Sequence, residues 1–100
     1  MIARIWHGVV PIEKADQYLA LMRTVAIPDY ERIPGNKRAL VLHRNEGDVA
    51  HFMTFTLWDS EGSIRAFAGD DISRAKYYDF DASFLVELTP AVQHFEVYES

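Results

Sequence analysis

The chain has 100 residues, 49% hydrophobic and 13% aromatic, with a formal net charge of -5 and no cysteine. It is long enough for one domain, 1–100, with a core of its own, and disulfides, thiolate nucleophiles and thiolate zinc sites are excluded. An acidic balance with scattered basic residues argues against nucleic acid, no apolar run reaches membrane-span length, and no signal segment stands at the N-terminus, so a cytoplasmic location is expected.

Residues Ile2 to Val10 read as a first strand ending before Pro11, with His7 alternating into the same face as Ile5 and Val9. "IEKADQYLALMRTVAI" follows, with Ala15, Tyr18, Leu19, Met22 and Val25 at helical spacing, and Pro28 is expected to stop it. A Pro34-Gly35-Asn36 turn leads into a second strand, "KRALVLHR", and Asn45-Glu46-Gly47-Asp48 joins it as a hairpin to a third, "VAHFMTFTLW". In that third strand His51, Met53, Phe55 and Leu57 share one face and Phe52, Thr54, Thr56 and Trp58 the other. Asp59 or Ser60 caps a second helix that Gly69 ends, and Asp70 or Asp71 caps a short third one, "ISRAKYY". "DFDASFLVELTP" is open between a helical turn and a loop, and "AVQHFEVYES" is the fourth strand.

This order predicts the α+β, ferredoxin-like βαββαβ fold: a four-stranded antiparallel sheet with helices on one face. Both faces of the third strand are partly apolar, and helices of so short a chain cover only one. The expectation is that the second face, with Arg4, Trp6 and Trp58, packs on another copy, giving a homodimer. An acidic residue of that copy would pair with Arg4.

The opening "MIARIWHG", "IPGNKRALVL" before the second strand, and "FTLWDSEGSIRAFAGDDISRAKYY" resemble the antibiotic biosynthesis monooxygenase domains of the dimeric α+β barrel group. The resemblance implies that fold, a homodimer, and a ligand cavity on the helix-covered face of each monomer. It implies as activity a cofactor-independent monooxygenase for a small electron-rich aromatic or phenolic substrate. The heme-degrading members carry an asparagine, a tryptophan and a histidine where this chain has His7, Phe67 and Tyr77. None of the three matches, so heme degradation by that route is not expected, and no cofactor is implied.

The candidate site follows. His7 would be the base, with Tyr77 as the second catalytic residue and His51, brought alongside by strand pairing, hydrogen-bonding substrate oxygens. Phe67, Met53 and Phe55 would wall the pocket. The structural alternatives are a hydrogen-bonded core histidine at His7, plain core at Phe67, and a cap and a solvated neighbour at Asp70 and Asp71. No metal site is expected, because no His or carboxylate cluster stands at ligand spacing, and no nucleotide or acyl-transfer motif is present. A non-catalytic ligand-binding or structural barrel, or an acid/base isomerase or cyclase, remains as the alternative on the same scaffold.

Overall fold

Alternating β-branched and aromatic residues build four strands: β1 (Ile2–Pro11), β2 (Asn36–Glu46), β3 (Val49–Trp58) and β4 (Gln93–Glu96). They form one antiparallel sheet in the order β2-β3-β1-β4. The structure is a computed structural model that describes residues 1–86 and 91–99. The helical elements are α1 (Ala15–Leu21), a π-turn (Met22–Ala26), α2 (Ile27–Glu31), α3 (Glu61–Ala68) and α4 (Asp81–Phe84). The α+β, four-stranded arrangement expected from the sequence is the one observed.

Pro28 does not stop the first helix. The chain runs through it to Glu31, because the backbone N–H of Ile27 reaches back five residues to the carbonyl of Met22. This widened turn loosens the backbone just where proline offers no donor. It also shifts the phase of the apolar stripe. Ala15, Tyr18 and Met22 are buried, but then Ala26 turns inward and Val25 is exposed.

Ser60 caps α3 by accepting the Ser63 N–H at 3.2 Å, and Gly69, at φ 95°, ends it. The expected helix over "ISRAKYY" is absent. Asp71 does hold the Ser73 N–H and hydroxyl as a cap would, yet the chain beyond stays irregular. Its backbone bonds instead across to the chain entering β4, through an Arg74–Ala91 bridge and Val92 N–H to Ser73 O. Within "DFDASFLVELTP" the helical turn is α4, and residues 87–90 lie outside the described residues.

The main correction concerns which face the helices cover. In β1 it is Arg4, Trp6, Gly8 and Val10 that are buried beneath them, while Ile5 and His7 point to the open side. Trp6 packs with Tyr18, Met22, Phe52 and Phe84, and Trp58 with Tyr30, Ile64 and Phe67. Neither tryptophan is left for a partner. Alternation sorts residues into two sets but does not say which set the helices take. Full burial of large apolar side chains stabilises by roughly 1.5 to 3 kcal/mol each, which favours covering the indole-bearing set.

The close fit of Trp6 gives a stability prediction. A Cβ at Gly8 would meet Trp6 Cη2, stand 2.7 Å from Trp6 Cζ2 and stand 2.9 Å from Leu85 Cδ2. Gly8→Ala is therefore expected to lower stability by about 1 to 3 kcal/mol through overpacking. Urea denaturation would show this as a lower midpoint at unchanged slope.

Candidate functional site

The six residues expected to form one site fall on opposite sides of the sheet. His7, His51, Met53 and Phe55 are on the open face, whereas Phe67 is buried on the helix side and Tyr77 lies in the irregular segment above it.

On the open face β1 and β3 do bring the two histidines together. His7 Nε2 is 3.0 Å from His51 Nδ1, and their ring planes lie within 8°. His51 Nε2 is 3.0 Å from Glu46 Oε1. A carboxylate only accepts, so His51 Nε2 carries a proton and donates it to Glu46, and His51 Nδ1 shares the bond with His7 Nε2. The chain runs His7, His51, Glu46, and Glu46 also takes Arg44 at 3.1 Å. Met53 and Leu42 flank these groups in an open cleft of about 370 Å³. The signal for Glu46 is the hairpin register. Arg44 opposes His51, so Glu46, two residues on, shares its face.

Beneath the helices lies a void of about 10 Å³, room for a single water. The π-turn borders it through Met22 and Ala26, the sheet through Trp6 and Thr54. Three phenols converge there. Tyr18 donates to Asp81 Oδ1 at 2.8 Å, Tyr78 donates to Asp29 Oδ2 at 2.7 Å, and Tyr30 and Thr54 share a bond of 3.0 Å. Burial first, then the adjacent carboxylates, push Tyr18 and Tyr78 well above the usual phenol range, and burial raises Tyr30. All three are therefore hydroxyl groups rather than phenolates. Burial works against ionised Asp29, but hydrogen bonds from Lys76 and Tyr78 hold it below the usual carboxylate range. The Nε1 of Trp6 is buried with no partner among the described residues.

Phe67 stacks on Tyr30 at 4.3 Å, with Lys76 Nζ 4.5 Å from its ring centre. It packs as an aromatic core residue beside the void. Burial, then Asp81, raises Tyr77. Residues such as Tyr18, Asp81 and Trp6 were not read as site residues from the sequence. In the sequence Tyr18 reads as part of a helix's apolar stripe and Trp6 as part of the face expected to pack on another copy, and Asp81 meets Tyr18 only through a contact spanning 63 positions.

No protein-family model and no curated protein sequence matches the chain. Solved structures do. A provisionally assigned antibiotic biosynthesis monooxygenase of Nitrosomonas europaea superposes with a TM-score of 0.75 at 16% identity, covering 99% of this chain and 100% of that one. The chain has the fold of these proteins. A second such protein, from Bacillus cereus, gives 0.68 at 13% identity over 100% of this chain and 95% of its own. The heme-degrader MhuD of Mycobacterium tuberculosis, solved with two hemes in its active site, gives 0.65 at 17% identity over 100% and 98%. Among the described residues no helix is long and apolar enough to cross a membrane.

The histidines set a pH dependence. Both His7 and His94 titrate below the ordinary 6.5, first because burial penalises the charged ring. His51 and Arg44 add to this for His7, and Arg4 for His94. On acidification the unfolded chain takes up these protons before the folded one. Their contribution is fully present above pH 6.5 and is lost as the pH falls below it, ahead of any loss from Asp29. The melting temperature should drop over that window, and less steeply in His94→Gln; a rise on acidification would contradict the assignment.

Proposed function

We propose that the chain is a cofactor-independent monooxygenase for a small electron-rich aromatic or phenolic substrate, with the void beneath the helices as the place where the ring enters. What carries this reading is a coincidence of two uncommon features at one spot. A π-turn, a geometry concentrated at functional positions, borders a void that also touches a tryptophan whose buried N–H has no acceptor among the described residues. The fold shared with provisionally assigned monooxygenases supports it.

The chemistry needs no external reductant. A phenol with a free para carbon gives up four electrons in becoming a quinone; one oxygen atom of O2 enters the ring and the other leaves as water. The protein has to take the phenol's proton and hold the resulting charge away from water. Asp81, which borders the void and holds the Tyr18 hydroxyl, takes that proton in this reading, and Trp6 Nε1 donates to the substrate oxygen. His7 is on the other face of the sheet and is not the base. A ring needs more room than the void offers. The segment between α3 and α4, which carries Lys76 and Tyr78 without a regular backbone ladder, is the wall that yields.

The residues around the void do not fit a heme. No histidine or cysteine borders it, and its three phenols are protonated and committed to other partners.

The open face completes the proposal. Leu42 and Phe95 are 46% and 51% exposed there, beside Ile5, Met53, Phe55 and Leu57. We assign this face to a second copy of the chain, in a homodimer whose interface includes the His7–His51–Glu46 chain. Light scattering should give a dimer, and Phe55→Glu a monomer; a monomeric parent protein at micromolar concentration would exclude it.

Incubated aerobically with a hydroxynaphthalene, the protein is expected to consume one O2 per quinone formed. Asp81→Asn should slow turnover about a hundredfold, within the range for loss of a positioned base. A phenol that binds but causes no oxygen uptake would reduce the protein to a binding module.

A further inference from the structure

Arg4 is 1% exposed, yet no carboxylate among the described residues forms an ion pair with it. One guanidinium nitrogen donates to the Arg74 carbonyl at 2.9 Å, and the Phe67 ring centre lies 5.5 Å away. The guanidinium also shares a side-chain hydrogen bond with Tyr30, and none of these contacts neutralises the charge. A cation this deep is ordinarily paired, because desolvation costs several kcal/mol per ion.

Among the described residues, the buried side-chain nitrogens and oxygens without a hydrogen-bond partner are Arg4 Nε, Trp6 Nε1 and His94 Nε2. Trp6 is two residues from Arg4 on the helix-covered face of β1, and His94 is the direct cross-strand neighbour of Arg4 on β4. Orphaned buried groups are few in folded proteins, and here one belongs to the buried guanidinium itself and one to the residue paired with it across the sheet. A cleft of about 150 Å³ opens beside His94, between Ile2 and Ile72. Glu61 stands at that cleft and is paired with Arg65 at 3.3 Å. On the other side Tyr30 connects Arg4 to the void: it borders the void, and its electrostatic partners include Arg4.

We propose that Arg4, flanked by Trp6 and His94, seats a singly charged oxygen on the ligand, a carboxylate or a phenolate, so that the interior selects anionic over neutral aromatic compounds. The inference rests on the reading of the interior as the ligand site. It adds the ligand's charge and the group that recognises it. An oxygen anion that accepts from Arg4 Nε would supply its missing acceptor and a counter-charge that no described residue provides.

The test compares 2-naphthoate with 2-naphthamide, the same ring with and without charge, by calorimetry on the parent protein, Arg4→Met and Arg4→Lys. The parent should bind naphthoate at least about tenfold more tightly, the factor expected of one charge-assisted contact. Arg4→Met should bring the two affinities together while keeping the amide affinity, and Arg4→Lys should restore part of the preference. If Arg4→Met does not fold, the parent and Arg4→Lys decide. 4-Nitrophenol, whose anion absorbs visibly, separates the two sources. Ionisation at a lower pH when bound, lost in the variants, assigns a phenolate; tight naphthoate binding without that shift assigns a carboxylate. Equal binding of naphthoate and naphthamide overturns the anionic preference and leaves the interior site standing. Failure of both to bind overturns the site as well.

Discussion

β1 lies between β3 and β4, so each of its residues is committed both to a register and to one of two faces. That commitment decides most of the molecule. With Trp6 and Val10 turned beneath the helices, Tyr18, Met22 and Phe52 close around them, and Arg4 is carried into the same interior. Turned the other way, His7 meets His51 on a face that no element of the described chain covers. A slip of one residue in β1 would exchange the two environments, stranding the Trp6 indole in water and the His7 imidazole in the core.

The interior that results is apolar in its packing and polar in its lining. Tyrosine hydroxyls are tied to Asp29, Asp81 and Thr54, which satisfies them, and burial above all keeps them protonated. Against that background the buried nitrogens of Arg4, Trp6 and His94 stand out, since a core that provides for three phenols leaves them without partners among the described residues. The π-turn belongs to the same region. It lets the helix continue past Pro28, and it places Met22 and Ala26 at the void.

The two faces have different chemistry. The open face is aliphatic and aromatic toward β4, and at the β2–β3 hairpin end it carries a histidine chain anchored by Glu46. Such a surface suits packing against another protein surface better than enclosing a small substrate, because its cleft is open to water. The helix-covered side is enclosed and holds the buried charge, so it is there that an electrostatic interaction is strongest.

Alternation and turn chemistry in the sequence determined the strand order, the hairpin at Gly47, a helix cap at Asp59 or Ser60, and the meeting of His7 with His51. These depend on spacings of a few residues and on strand order. Tertiary structure alone decided which face the helices cover, since period two is symmetric between faces until helices pack on one of them. It decided that Pro28 would be tolerated, through a hydrogen bond displaced by one residue upstream. It also decided that "ISRAKYY" would form no helix, because its backbone finds partners near β4 rather than within itself. The burial of Arg4 with no counter-ion among the described residues is of the same kind: a strand arginine is ordinary in sequence, and only the elements packed over it take its charge out of water.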